Sequence, residues 1–341
     1  MTKLFNIDEY SNKLGANLSG VLKATNDFAI PNAGLVKTVD TITDIISGVV
    51  EAKYYELGGQ TPSDFVSIDV GRGAYMGNIV QFTSAYVGSP FEQCIINPAS
   101  TGIHNDATAD IVIDDISIKN NFYRQKYSIS QEELKMASAN RVAFDIIEQK
   151  EKSRKKTWDL GIQNVLFNGL ADGQTKGLLN QTGVTVNTTL LPVAIETMSE
   201  AQLKTLAGRL ISTYFTNANG AVMPNRWLMP TNTFMALGVP YGSTFGMPTI
   251  KDVLETALKA SGAPADFKIV HALYANGASA DGNGRHALYN TEDVVMYIPK
   301  AYTPHPLYAQ GALDMISDAE GQFTGVQVKR PGAFMYLDEQ A

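Results

Sequence analysis

Residues 169–177, GLADGQTKG, come closest to a sequence that could bind a nucleotide. A phosphate-binding loop reads G-x-x-x-x-G-K-[ST], so that backbone N–H groups wrap the phosphates and a lysine follows the last glycine. Here Gly169 and Gly173 are four residues apart, and Lys176 precedes Gly177. The segment also follows a predicted helix, whereas the motif follows a strand. We therefore interpret these glycines as structural.

Other residue types that carry catalysis or bind metals are scattered. The histidines are His104, His271, His286 and His305, no two within five residues of each other and none in an H-E-x-x-H pattern. His271 lies in an apolar strand pattern, which is more typical of a buried core residue than of a ligand. The single cysteine, Cys94, excludes an internal disulfide. We expect no catalytic residue, cofactor or metal, although catalytic groups that converge from distant positions would escape this test.

The composition is that of a globular protein with a real core. The 341 residues are 44% hydrophobic and 18% charged, with a formal net charge of −7. This charge argues against a protein that binds nucleic acid over its whole surface, but not against a local basic patch. Because no run approaches the roughly 18 apolar residues of a membrane span, we expect no membrane partner. The start of the chain has no apolar signal region, which favours synthesis in the cytoplasm.

The first half of the chain divides into two kinds of segment. Residues 1–60 predict two amphipathic helices, which are either packed core helices or an arm that packs on a neighbouring subunit. Residues 64–118 contain β-rich runs separated by glycines and prolines, and they predict a long extended hairpin. The predicted hairpin contains no lysine, one arginine and seven acidic residues.

A long helix is predicted for residues 131–168. Ser130 and Glu133 form a capping box, and Asn168-Gly169 is a typical helix end. At 1.5 Å per residue such a helix would be about 57 Å long. Its middle, residues 148–156, has five basic and two acidic residues, the composition of a solvated helix face.

Residues 190–300 predict a mixed α/β unit. Ser199 and Gln202 form a second capping box, and Thr249 begins another helix. The predicted strands between the turns are RWLMP, FKIVHAL, RHALY and DVVMYIP. The chain ends in GVQVKRPGAFMYL, which predicts a strand that is at an edge or bulged because it contains Pro331.

The predicted hairpin needs a surface to lie on, because a two-stranded ribbon is marginally stable in water. If it protrudes, its apolar side chains must be covered by another subunit; if it folds back, the chain is an ordinary domain. The sequence leaves both open. The predicted inter-subunit contacts are Phe82, Tyr86, Phe91 and Ile95.

The order of segments resembles a known family. The runs YSISQEELKMA, NVLFNG and TKGLLNQTGVT are similar to the spine helix and following turn of tailed-phage major capsid proteins, and FTGVQVKRPGAFMYLD resembles their closing strand. This fold, typed by Hong Kong 97 and shared with encapsulins, is α+β. The resemblance implies an N-terminal arm (1–60), an E-loop (61–118), a P-domain (119–189 and 304–341) with spine helix 131–168, and an A-domain (190–303).

The resemblance implies a structural protein, not an enzyme. The chain would assemble as hexamers and pentamers into the icosahedral head of a tailed phage around double-stranded DNA, after synthesis in the bacterial host cytoplasm. A portal and a separate scaffolding protein are implied partners, and cement proteins are further candidates. Some relatives cross-link through a lysine on the E-loop; this loop has none, so we expect a non-covalent shell. The alternatives are an encapsulin-type compartment and a soluble α/β enzyme or ligand-binding protein.

The charge pattern adds a hypothesis about docking. A basic patch is predicted at Lys152, Arg154, Lys155 and Lys156. It would face either the acidic E-loop of a neighbouring copy or the packaged DNA, which it would bind without sequence specificity.

Overall fold

The structure is a computed structural model that describes residues 55, 57–88, 109–139, 146–240, 248–309 and 314–340, with side chains described except at 85–88, 109 and 136–139. The contacts below lie within one compact unit, residues 53–135 and 145–341. The two predicted N-terminal helices, and Phe91 and Ile95, lie outside the described residues.

The described residues form both helices and strands. The helices are α1 (Pro62–Phe65), α2 (Gln131–Ala139), α3 (Ile146–Asn168), α4 (Glu200–Asn217), α5 (Thr231–Ala236) and α6 (Ile250–Ala260). The strands are β1 (Ser67–Val70), β2 (Asn78–Gly88), β3 (Ala109–Ser130), β4 (Thr185–Asn187), β5 (Arg226–Pro230), β6 (Lys268–Ala272), β7 (Arg285–Tyr289), β8 (Val294–Ile298), β9 (Lys300–Pro304), β10 (Tyr308–Ala309), β11 (Asp314–Thr324), β12 (Val326–Val328) and β13 (Phe334–Asp338). Among the described helices, none combines the length and the apolar character that crossing a membrane requires.

The strands form three sheets. A five-stranded sheet has the order β10-β11-β3-β2, with β9 also paired to β11. A second five-stranded sheet has the order β4-β13-β7-β5-β6, and a small sheet has the order β1-β8-β12. The second sheet takes β4 and β13 from outside the predicted A-domain range 190–303, so segments on both sides of this range add strands to its sheet.

The long strand β3 has two different partners along its length. Residues 109–119 pair antiparallel with β2, and residues 120–130 pair antiparallel with β11. We call β2 and residues 109–119 the ribbon. The predicted hairpin is thus confirmed where residues 78–88 pair with residues 109–119, and its middle, residues 89–108, lies outside the described residues. The inclusion of residues 64–77 is wrong. Strand β1 pairs in parallel with β8 in the small sheet, a partner more than 200 residues away.

Helix α3 packs on the sheet that carries β3 and β11. Trp158 lies against Tyr123, Tyr302 and Phe323, with ring centroids 5.6–5.9 Å apart. Gly321 makes this approach possible, because a Cβ there would lie 2.5 Å from Cη2 of Trp158. The predicted single helix 131–168 is found as α2 and α3, on either side of residues 140–145, which are outside the described part.

The predicted helix starts are confirmed. Ser130 accepts from the backbone N–H of Glu133 at 3.1 Å, while the Glu133 carboxylate accepts from the N–H of Ser130 at 3.2 Å. The same reciprocal box begins α4 at Ser199 and α6 at Thr249. Both helices share one apolar cluster with side chains of β5, β6, β7 and β13 of the second sheet.

The predicted closing strand is wrong in one respect. It is two strands, β12 and β13, separated by a 3-10 turn, Pro331–Ala333. Pro331 occupies the first position of this turn, where its missing N–H costs nothing. It is therefore a turn residue and not part of an edge strand.

Candidate assembly surfaces

The ribbon exposes an apolar face. In the observed register Phe82 lies opposite Asp115, so even-numbered residues of β2 share a face with odd-numbered residues of β3. We define the exposed ribbon face by its apolar members, which are 48–71% exposed: Val80, Phe82, Ile111 and Ile113. Asp115 lies among them and is exposed as well. A two-stranded ribbon with this face in water is the sort of surface that a second molecule covers.

The opposite face of the ribbon is buried only near its base. Ile79 and Ile118 lie directly opposite one another and pack with Val295 and Tyr297 of β8 in a small apolar cluster. Further out on this face, Val112 and Asp114 are exposed. The ribbon is therefore attached to its own chain at the base and uncovered beyond it, within the described residues.

A polar cluster fixes the point where β3 changes partner. Asn120 donates through Nδ2 to the carbonyl oxygen of Met76 at 2.8 Å and to Oε1 of Gln322 at 3.2 Å. The same Oε1 accepts from the backbone N–H of Tyr75 at 2.9 Å. Tyr75 has a left-handed backbone conformation with φ 65°, which a non-glycine residue keeps only when its surroundings hold it. Both amide side chains are buried, so this cluster sets the direction in which the ribbon leaves the body.

An ion pair joins the ribbon base to the glycine-rich return, residues 169–177. Lys119 donates to Oδ2 of Asp172 at 2.9 Å. Asp172 also accepts from the backbone N–H groups of Gln174 and Thr175 and from the hydroxyl of Thr175. These donors, the Thr175 N–H first and Lys119 next, hold the pKa of Asp172 far below its usual value.

Five N–H groups of the glycine-rich return, those of Gly169, Leu170, Gln174, Thr175 and Gly177, already donate to acceptors of the same chain. Gly177 donates to Oδ1 of Asn180 at 2.6 Å, and Leu178 and Leu179 donate to the last carbonyl groups of α3. Gly169 has φ 71°, and a Cβ there would overlap the carbonyl oxygen of Thr175. The interpretation of these glycines as structural is thus confirmed: they let the chain fold back tightly on the end of α3.

The predicted basic patch is only partly a surface. Arg154 is 2% exposed, and its guanidinium donates to the carbonyl and hydroxyl oxygens of Ser317 at 2.9 and 3.1 Å and to Glu151 at 2.5 Å. Its inclusion in the patch is wrong. Lys152 and Lys155 are exposed and Lys156 is half-buried, and Lys152 forms an ion pair with Glu148 at 2.9 Å.

The signal for the buried arginine was present in the sequence. Arg154 precedes Trp158 by four residues and Ile162 by eight, so all three lie on the face of α3 that packs on the sheet. Its guanidinium also lies 4.6 Å from the ring centroid of Tyr127, and this contact completes its buried environment.

The predicted contact residues fall in different places. Phe82 is on the exposed ribbon face, Tyr86 is in β2 with its side chain outside the described part, and Phe91 and Ile95 lie outside it altogether. Ile111 and Ile113 complete the face but were missed as site residues, because their position beside Phe82 depends on the strand register.

Two of the described histidines, His271 and His286, are buried. His271 is buried and stacks on Phe234 with ring centroids 4.3 Å apart, and burial lowers its pKa, as expected of a core residue. His286 lies 2.9 Å from Glu339 through Nε2. Within the described ranges, no group of three or more His, Cys, Asp or Glu side chains is placed to hold a metal ion.

Comparison with solved structures shows which proteins share this fold. The capsid of Myoviridae phage XM1 matches with a TM-score of 0.71 at 14% identity, over 88% of this chain and 98% of that one. The capsid of an empty GTA particle matches at 0.56 with 10% identity, over 89% and 96% of the two chains. A structure from Mycobacterium phage Ogopogo matches at 0.54 with 11% identity, over 89% and 98%. The resemblance to the tailed-phage capsid fold and its α+β class are confirmed.

A comparison with curated protein sequences gave no match. Residues 104–339, well over half of the chain, match the family model described as "Major capsid protein". This match covers the partner change of β3, the helix α3, the glycine-rich return and the closing strands. The chain therefore belongs to the major capsid protein family.

Proposed function

We propose that this protein self-assembles into the closed icosahedral head of a tailed phage and encloses double-stranded DNA. The observation that carries the proposal is the exposed ribbon face: four large apolar side chains stand in water on a ribbon that its own chain supports only at the base. Sister copies cover this face in the shell. Membership of the major capsid protein family and the capsid structures that share the fold support the same conclusion.

Burial of this face supplies the free energy for assembly. Full burial of one Val, Ile or Phe side chain is favourable by about 1.5–3 kcal/mol, and these four are about half to two thirds exposed. Each copy therefore gains a few kcal/mol from the ribbon contact. Because every copy in a closed shell makes such a contact with its neighbours, the small free energies of the individual contacts add up to a stable particle.

The test is to put charge on the ribbon face without harming the fold. A double variant, Phe82→Asp with Ile113→Asp, should remain folded by circular dichroism but form no shells by negative-stain microscopy. Val193→Asp is a matched control, since Val193 is similarly exposed but lies outside the ribbon. Normal shells from the double variant would overturn the proposal, as would equal loss in the control.

The proposal includes other parts of the particle. Hexamers and pentamers of this chain form the shell, and a portal is part of the same particle. A separate scaffolding protein guides assembly, and cement proteins can bind to the outer surface. Because residues 64–118 contain no lysine, an E-loop lysine cross-link is not available. Denatured particles should therefore give one band near 36.9 kDa, and a ladder of larger bands would contradict a non-covalent shell.

Packaged DNA is the proposed content, and the exposed lysines of α3 are candidates for non-specific phosphate contacts. Lys152→Glu with Lys155→Glu should give normal shells that package poorly if these lysines face DNA, because phosphate neutralisation is lost. Normal packaging would exclude that role. Shells that contain protein cargo and no DNA would instead favour an encapsulin-type compartment.

A further inference from the structure

We infer that a groove beside the ribbon base receives Asp115 and the exposed ribbon face around it from a second copy. The groove, which we call the base groove, lies between residues 116–119 of β3, the glycine-rich return and residues 325–328, and it encloses about 350 Å³. This inference rests on the proposed assembly and names the receiving surface. It replaces the basic segment of α3 as the partner of the acidic ribbon.

The base groove exists because two strands part at one residue. Strand β11 pairs with β3 up to Thr324, which lies opposite Asn120, and the chain then turns away through Gly325. Residues 109–119 of β3 pair with β2 on one side only, and no other described strand pairs with them. The edge of β3 therefore opens into the groove at the point where β11 leaves it. The groove is therefore a recess that side chains of another chain can enter.

The charges of the base groove suit a carboxylate. Lys119 and Lys176 line it together with the amide side chains of Gln174 and Gln327, and no carboxylate is among its lining residues. The nearby Asp172 is bound to Lys119, which leaves Lys176 as the cation that an incoming acid would meet. A half-buried lysine beside amide donors is a better seat for an acid than a fully exposed one, because solvent screens it less.

The exposed ribbon face has the complementary chemistry. Asp115 is the carboxylate on this face, and its neighbours on the face include no basic residue, whereas Asp110 and Asp114 lie on the opposite face of the ribbon. Asp115 stands opposite Phe82 and beside the apolar residues of the face. The base groove supplies the opposite charge, since Lys119 and Lys176 line it together with the exposed Pro331, while Val326 and Val328 are buried in the core. The carboxylate of Asp115 thus meets a cation that has amide side chains beside it.

The α3 segment is a weaker alternative. Arg154 is buried against Ser317, and Lys152 already pairs with Glu148. The contact through the base groove is also heterologous, because two different surfaces meet: the exposed ribbon face of one copy and the base groove of another. Contacts of this type close into rings or continue through a lattice, which is what repeated copies in a shell require.

Cross-linking between two marked copies tests the contact directly. In a Cys94→Ser background, one chain carries Asp115→Cys and a second carries Lys176→Cys; the two are co-assembled and treated with a short bis-maleimide. A band at twice the monomer mass on a denaturing gel is expected. The matched control replaces Lys176→Cys with Lys155→Cys on α3. Linkage at 155 and not at 176 would overturn the inference.

Charge reversal supplies a second, independent readout. Lys176→Glu and Asp115→Lys should each reduce shell yield at least about tenfold, because like charges meet at the contact, and the two together should restore it. Lys176 is preferred to Lys119, whose replacement would break the Asp172 ion pair. Normal shells from Lys176→Glu would overturn the inference and leave the proposed function intact. Failure of the unmodified chain to form shells would overturn the proposed function and the inference with it.

Discussion

Trp158 and Phe82 are both large aromatic residues, but the molecule treats them in opposite ways. Trp158, on α3, is 9% exposed and is surrounded by three aromatic rings and the bare backbone of Gly321. Phe82, on the ribbon, is 71% exposed and has Asp115 opposite it. At these two positions the body covers the aromatic ring within one chain, whereas the ribbon leaves it open to another molecule. The two regions should therefore respond differently to the same substitution.

The largest expected effect is the contrast between Trp158→Ala and Phe82→Ala. Removal of the buried indole should lower the free energy of unfolding by about 3–5 kcal/mol, because a cavity remains between α3 and the sheet. Removal of the exposed phenyl ring should change it by less than about 0.5 kcal/mol. Urea titration of the unassembled chain measures both. Phe82→Ala should nevertheless strongly lower the yield of shells, although the monomer remains stable.

Equal destabilisation of the monomer by both variants would break the comparison. It would mean that Phe82 is covered by its own chain in solution, and the ribbon would then not be available to a sister copy. Unchanged shell yield from Phe82→Ala would show instead that the exposed ribbon face is not a contact in the particle.

Local features of this fold could be predicted from the sequence, because their causes lie within a few residues. The capping boxes at Ser199 and Thr249 need only a hydroxyl and a polar side chain three positions later. The helix end at Asn168 and Gly169 is equally local. The ribbon was also predictable as an extended acidic hairpin, since its alternation and charge are properties of one segment.

The features that could not be predicted depend on distant partners. Strand β1 was assigned to the hairpin because nothing near it shows that its partner is β8. The place where β3 changes partner depends on where β11 ends, and this also fixes the base groove. Arg154 was assigned to the surface by its residue type, although its spacing from Trp158 placed it on the buried face of α3. In that case the helical period was the better guide than the charge.

Two glycines of the glycine-rich return, Gly169 and Gly173, allow the same comparison between a crowded and an open position. Gly169 and Gly173 both have φ 71°, so alanine costs about 1–2 kcal/mol at each from the left-handed conformation alone. At Gly169 a Cβ would also overlap the carbonyl oxygen of Thr175, while at Gly173 it would meet nothing within 4 Å. Gly169→Ala should therefore cost about 1–3 kcal/mol more than Gly173→Ala. Thermal unfolding of the two variants measures the difference, and equal effects would show that the loop relaxes without strain.

Arg154 and Lys155 are neighbours in sequence, but the side chain of Arg154 is buried and that of Lys155 is exposed. Arg154→Ala should lower the free energy of unfolding by about 1.5–3 kcal/mol, because the carbonyl and hydroxyl oxygens of Ser317 lose a charged donor. Lys155→Ala should change it by less than about 0.5 kcal/mol, since its side chain is exposed. Denaturant unfolding of the two variants is the measurement. A larger effect at Lys155 would mean that the helix is rotated relative to the sheet.

The smallest expected effect concerns the ion pair that joins the ribbon base to the body. Its hydrogen bonds hold the pKa of Asp172 below the usual value, so the carboxylate stabilises the fold at pH values above the unfolded pKa. This stabilisation is lost as the pH falls through the folded pKa. The difference in stability between the unmodified chain and Asp172→Asn should therefore be constant near neutral pH and shrink progressively below about pH 5. Lys119→Met removes only the ion pair and should reduce this pH-dependent difference without abolishing it, because the N–H groups of the return still favour the carboxylate. A difference that stays constant into strong acid would show that Asp172 acts as a neutral hydrogen-bond acceptor.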